Sequence, residues 1–155
     1  MYSLIEPQTP PPAGVYVPVP TFFTTTSPTG SHTPSLDIKT QISHSLHLAR
    51  SGIRGLVLLG STGEAIHLSA AEKKSLILNV ASGLAEGGFP RYPIIAGVLT
   101  NSIEDAIEQL NDAKVAGAQW GLVLAPGYFG TAVNQWNIQE WYKEVADASP
   151  IPILM

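Results

Sequence analysis

Residues 55 to 68 read GLVLLGSTGEAIHL. The stretch opens on Leu56 to Leu59, an apolar run with the length and character of a strand buried on both faces. It then breaks into Gly60-Ser61-Thr62-Gly63-Glu64, where two glycines permit a sharp turn and a close ligand approach, and two adjacent hydroxyls project. Ser69-Ala70-Ala71-Glu72 follows, a capping box with Ser69 as cap and Glu72 three residues on, so a helix begins there. The order is strand, hydroxyl-bearing turn, helix. In a parallel α/β sheet such a turn lies at the carboxyl end of a strand, where these folds bind their ligands.

The same rhythm extends in both directions. Gly14 to Phe23, GVYVPVPTFF, alternates like a strand, but Pro18 and Pro20 cannot donate ladder hydrogen bonds, so the strand must be short or irregular. Before it, residues 1–13 form an extended Pro-rich tail without a core of its own. Thr24 to Pro34 is a Ser, Thr, Pro and Gly loop. Ile38, Ile42, Leu46 and Ala49 recur at helical spacing, with Asp37 placed to cap the start and Gly52 to end it. His44 and His47 lie three apart on that helix, a spacing that metals use. With no third ligand nearby in sequence, they read as surface or partly packed histidines, and no metal or cofactor is expected.

Toward the C-terminus, Ile77, Val80, Ala81 and Leu84 mark one helix face, closed by Gly87-Gly88. Pro93 to Gly97 is the next buried strand. Ser102 and Asp105 cap a helix with Ile103, Ala106, Ile107 and Leu110 as its stripe, ended by Gly117. Trp120 to Leu124 is a strand followed by the loop Ala125 to Gly130. Ile138, Trp141, Tyr142 and Val145 mark a further helix, and Ile151 to Met155 a fifth strand. Five strands thus alternate with four helices at spacings of roughly 30 to 40 residues, the rhythm of consecutive βαβ units. Either an open doubly wound sheet or part of a (β/α)8 barrel fits. A typical barrel needs about 250 residues, so residues 14–155 would be its N-terminal half. The lack of a glycine-rich dinucleotide fingerprint and the strict strand-helix order favour the barrel. A last strand ending on apolar residues with nothing to cover it reads as a fragment or a truncated gene model.

Composition removes several function classes. The 155 residues are 45% hydrophobic, enough for a real core. Eight Lys plus Arg against twelve Asp plus Glu give a net charge of −4 without a basic cluster, which makes nucleic acid a poor partner. There is no cysteine, so disulfides and thiolate chemistry are excluded. No apolar run approaches the roughly 20 residues of a membrane span. With no basic leader before Lys39, a cytoplasmic protein without membrane association is the expectation.

The motifs, taken together, resemble the dihydrodipicolinate synthase and N-acetylneuraminate lyase family of pyruvate-dependent class I aldolases, which are (β/α)8 TIM barrels. Gly60-Ser61-Thr62-Gly63-Glu64 is similar to its signature turn, and Pro93-Ile94-Ile95-Ala96-Gly97-Val98 to one of its strands. Gly117-Ala118 and the Ala125-Pro126-Gly127-Tyr128 loop follow in the family's order. Pro18-Val19-Pro20-Thr21-Phe22-Phe23 resembles its first strand with one proline displaced. Gln119 departs, standing where the family often has Asp.

The resemblance implies a lysine Schiff base with pyruvate or another 2-oxo acid, condensed with or cleaved from an aldehyde. It implies that Thr62 holds the pyruvate carboxylate through its hydroxyl and N–H, a task suited to a turn opening toward a helix N-terminus. Ser61 would join a hydroxyl relay with two tyrosines. One is Tyr128, lent across a subunit interface, so the full-length chain would be a homodimer or homotetramer. The plain alternative for Tyr128 is a loop aromatic packing its own ring. The second tyrosine and the Schiff-base lysine belong to positions after Met155, so the chain alone is expected to be inactive. Two other readings stay open: a non-catalytic family member acting as a binding or subunit-interaction protein, and a phosphate-binding α/β domain using the same turn.

Overall fold

The computed structural model describes residues 9–29 and 33–155. Most of the expected tail, and residues 30–32 of the first loop, lie outside them. The strands are β1 (Tyr16–Pro18), β2 (Gly55–Leu58), β3 (Ile94–Val98), β4 (Trp120–Val123) and β5 (Ile153–Leu154). The helices are α1 (Ile38–Arg50), α2 (Ala70–Glu86), α3 (Ile103–Ala116) and α4 (Gln135–Ala148). All neighbouring strands pair in parallel, and their order across the sheet is β1-β2-β3-β4-β5. A doubly wound sheet reverses direction at a switch point. This one never does, and that strand order is the first half of a (β/α)8 barrel.

The two faces of the sheet differ as the barrel requires. Leu56, Leu58, Ile94 and Ala96 point outward and pack with Leu76, Ile77, Val80 and Leu84 of α2. Val98 and Val123 meet Leu110 of α3 and Trp141 and Val145 of α4. The alternate residues Val57, Ile95 and Trp120 form a separate inner cluster with Tyr16, Leu122 and Leu154 and no helical residue. Both faces being apolar is why these strands read as continuous runs rather than alternations.

Local signals place the helix ends. Asp37 accepts from the Thr40 N–H (3.0 Å), and Ser69 and Glu72 close a complete capping box. Ser102 and Asn134 cap α3 and α4, and Gly117 ends α3 in the left-handed region at φ 109°.

Two expectations need correction. The most buried face of α1 is not Ile38-Ile42-Leu46-Ala49 but Gln41-Ser45-Ala49, with Ile42 and Leu46 half-buried on the flank. That flank lies against α2, where Gly83 and Gly87 leave room for those two side chains. Strand β2 ends at Leu58, because Leu59, though buried, takes φ 62° and leaves the ladder. At the opposite end of the sheet, the Thr9 carbonyl accepts from the Trp120 indole N–H (2.8 Å) and the Pro12 carbonyl from the Tyr16 hydroxyl (2.9 Å). Residues 9–12 are thereby tied to the amino-terminal ends of β1 and β4.

Candidate active site

The turn after β2 is built by exclusion and by hydrogen bonds. Gly97 of β3 lies directly under it: a Cβ there would run into the Leu59 carbonyl and the Gly60 nitrogen. Only glycine lets the chain fold inward over β3 at this height. The turn closes on itself through Gly63 N–H to the Gly60 carbonyl (3.0 Å) and Glu64 N–H to the Ser61 carbonyl (3.1 Å). Gly63 is buried against the Leu59 backbone and the Val19 carbonyl. Its own carbonyl accepts from the buried Thr21 hydroxyl at 2.5 Å.

That bracing leaves Ser61 and Thr62 exposed at the carboxyl ends of the strands. Among the described residues, none bonds their hydroxyls or their backbone N–H groups. The pair thus presents two hydroxyls and two N–H groups that no described protein group occupies. Both residues line an open cavity of about 420 Å³ together with Val57, Leu122, Tyr142 and Met155. The volume suits a small ligand. Tyr142 donates its hydroxyl to the Val123 carbonyl (3.0 Å), and burial pushes its phenol above the ordinary value, so it is a protonated wall residue whose proton is already committed.

The turn does not run straight into α2. A single 3-10 turn, Ala65–His67, separates them, and the first turn of α2 is closed by its own capping box, with Glu72 accepting from the Ser69 N–H (2.9 Å). The donors available to an anion are therefore those of the turn itself.

Tyr128 sits elsewhere. Its N–H donates to the Asn101 side chain (3.0 Å), and the Asn101 carbonyl accepts from the Trp141 indole (3.1 Å). Its ring meets Phe129 edge-on at 5.2 Å, and the residue is 82% exposed. It lines a neighbouring hollow with Ile66, Thr100 and Asn101 that shares only the Leu124-Ala125 rim with the Ser61-Thr62 cavity. The structure unites Ser61 with Thr62 and keeps Tyr128 apart. His44 packs edge-on against Phe22 at 5.3 Å. Gly97 and Thr21 are the turn-shaping residues that sequence reasoning missed. Gly97 and Thr21 stood within quoted motifs, but nothing linked them to the turn.

Residues 24–155 match the dihydrodipicolinate synthetase family. The chain belongs to that family. It is 41% identical over 150 residues to an L-threo-3-deoxy-hexylosonate aldolase of Aspergillus niger, covering 96% of this chain and 43% of that protein. A Coccidioides immitis protein carrying the name mitochondrial 4-hydroxy-2-oxoglutarate aldolase is 38% identical, with 96% and 44% covered. A crystal structure of a dihydrodipicolinate synthase family protein from the same fungus superposes with a TM-score of 0.79 at 36% identity, covering 92% of this chain and 43% of that one. A prophage member from E. coli K12, solved in complex with pyruvate, gives 0.75 at 27% identity, with 90% and 43% covered. The chain thus spans less than half the length of the dihydrodipicolinate synthetase family members it matches. No helix among the described residues is long and apolar enough to cross a membrane. The cytoplasmic expectation gains nothing from relatives that include proteins named mitochondrial.

Proposed function

We propose that the protein to which these residues belong is a pyruvate-dependent class I aldolase or lyase, and that this chain supplies the carboxylate-binding half of its site. The observation that carries the reading is the Ser61-Thr62 pair, with free hydroxyls and N–H groups at the mouth of a half-barrel whose relatives are named aldolases. In the reaction a lysine amine adds to the ketone of a 2-oxo acid and water leaves, giving an iminium. On cleavage the electron pair of the C–C bond is drawn into that iminium, leaving an enamine and releasing the aldehyde. On condensation loss of an α proton gives the same enamine, whose electron pair attacks the aldehyde carbon while the aldehyde oxygen takes a proton and the iminium is restored. Thr62 holds the carboxylate through its hydroxyl and N–H, fixing the ketone for attack. Ser61 passes a proton in a hydroxyl relay with a tyrosine. Tyr128, standing free of its own cavity, suits delivery to the site of a neighbouring subunit in a homodimer or homotetramer.

The nucleophile lies outside these residues. The five lysines, Lys39, Lys73, Lys74, Lys114 and Lys143, all stand on helices, and none lines the Ser61-Thr62 cavity. Borohydride reduction in the presence of pyruvate tests the reading. The protein with its complete barrel should gain one pyruvyl adduct on a strand lysine, and the 155-residue chain should keep its mass. No adduct on the complete barrel would leave a non-catalytic family member instead.

A further inference from the structure

Gln41 is 1% exposed, and no part of the mechanism above uses it. Its environment explains why a polar amide stands on the innermost face of α1. The last bond between the first strand and β2 is Val19 N–H to the Val57 carbonyl (3.0 Å); past it no strand of the sheet pairs with the segment Pro20 to Phe22, although the Phe22 carbonyl accepts from the Asp37 N–H and Phe23 bridges Leu36. Pro20 has no N–H to satisfy. Its carbonyl, however, accepts from Gln41 Nε2 (3.1 Å), and the Phe22 N–H donates to Gln41 Oε1 (3.1 Å). Binding the carbonyl of one residue and the N–H two residues on is what a single residue of a parallel neighbour does. The chemistry fixes the amide's orientation, because a carbonyl needs a donor and an N–H needs an acceptor.

We propose that Gln41 is a positioning residue for the Ser61-Thr62 turn, its side-chain amide standing in for a missing strand residue so that Thr21 is held at the height where its hydroxyl carries Gly63. The path is continuous. The start of α1 grips the same segment through Asp37 N–H to the Phe22 carbonyl (2.8 Å), and Gln41 brackets Thr21 on both sides. Thr21, 7% exposed, donates to the Gly63 carbonyl at 2.5 Å, one residue beyond Thr62. Ser45 in turn bonds the Gln41 carbonyl (2.8 Å) from the next turn of α1. A leucine or methionine would fill the same volume and leave Pro20 and Phe22 unpaired, letting the segment move. The effect on catalysis rests on the aldolase reading, whereas the effect on the turn does not.

The test separates the two. In the wild-type complete barrel, the Gln41 side-chain amide protons should exchange slowly and show NMR contacts to Thr21; fast exchange without such contacts overturns the proposal. Gln41→Met should shift the amide resonances of Ser61 to Glu64. In the complete barrel it should lower kcat/KM for pyruvate about tenfold or more, since displacements near 1 Å cost up to about 10²-fold. Val145→Ala, an apolar truncation under α4 compared at equal fraction folded, should do neither; matching effects from the two would show general loosening and overturn the proposal. Thr21→Val should reproduce the shifts, Thr21→Ser should preserve the wild-type pattern, and adding Gln41→Met to Thr21→Val should change little more. Equal behaviour of the two Thr21 variants, or full additivity, counts against it. If Gln41→Met does not fold, the wild-type exchange and the Thr21 pair still decide. If the unmodified complete barrel fails to capture pyruvate, the aldolase reading falls while the NMR results still judge Gln41.

Discussion

Ser61 and Thr62 share one turn and one exposure, yet the two roles assigned to them predict different kinetics in the complete barrel. Thr62→Val removes a hydroxyl bond to a charged carboxylate, worth about 1.5 to 3 kcal/mol, and should raise the pyruvate KM with a smaller change in kcat. Ser61→Ala interrupts a proton transfer and should lower kcat by about 10²-fold or more. Steady-state kinetics of the two variants checks this, and equal small effects would refute the roles. Gly97→Ala is a purely steric probe. Its methyl meets the Leu59 carbonyl, so β3 and the turn must separate, at about 1 to 3 kcal/mol by urea unfolding and with loss of pyruvate capture. The hydroxyl pair was legible in sequence because it lies between glycines directly after an apolar run. Gly97 was not, since a glycine ending a strand announces no partner, and the atoms it admits are 38 residues earlier in the chain.

At the scale of elements, the helix caps carry much of what one sequence window determines, and they respond to pH. Asp37 is held below the ordinary carboxylate range by the Thr40 N–H and hydroxyl, and Glu72 by the Ser69 hydroxyl and N–H. A carboxyl with a lower pKa folded than unfolded contributes stability that is complete above the ordinary value of about 4 and is lost as the pH falls through the folded value. Urea unfolding between neutral and acid pH should therefore show the wild type losing stability more steeply below about pH 4 than Asp37→Asn with Glu72→Gln. Parallel acid limbs would refute it. Ser69→Ala should cost about 1 kcal/mol at neutral pH, measured the same way. Helix faces were less legible. The spacing of Ile38, Ile42, Leu46 and Ala49 is helical, but α1 has two neighbours, and the sheet side went to Gln41 and Ser45 because Pro20 and Phe22 there offer unpaired backbone groups.

For the whole molecule, the open sheet has two edges. β1 is short and carries Pro18, whereas β5 offers the apolar Ile153-Leu154 beside an uncovered inner face. The 155-residue chain on its own should therefore associate in sedimentation experiments, and Leu154→Lys should reduce that association. A monomer with a cooperative melt at high concentration would contradict the prediction. Closing the barrel removes both edges.

The sequence by itself determined the parts whose causes are local: apolar runs four to five residues long became strands, Ser69, Ser102 and Asp37 became caps, Gly117 ended α3, and Gly60 to Glu64 became a turn with its hydroxyls outward. Only the tertiary structure decided the sequential strand order, the inward fold of that turn over Gly97, the bracing from Gln41 through Thr21 to Gly63, and the separation of Tyr128 from Ser61. The physical reason is reach. A capping bond is closed within three residues, while the Thr21-Gly63 bond spans 42 and exists only once the sheet has brought β1 and β2 side by side.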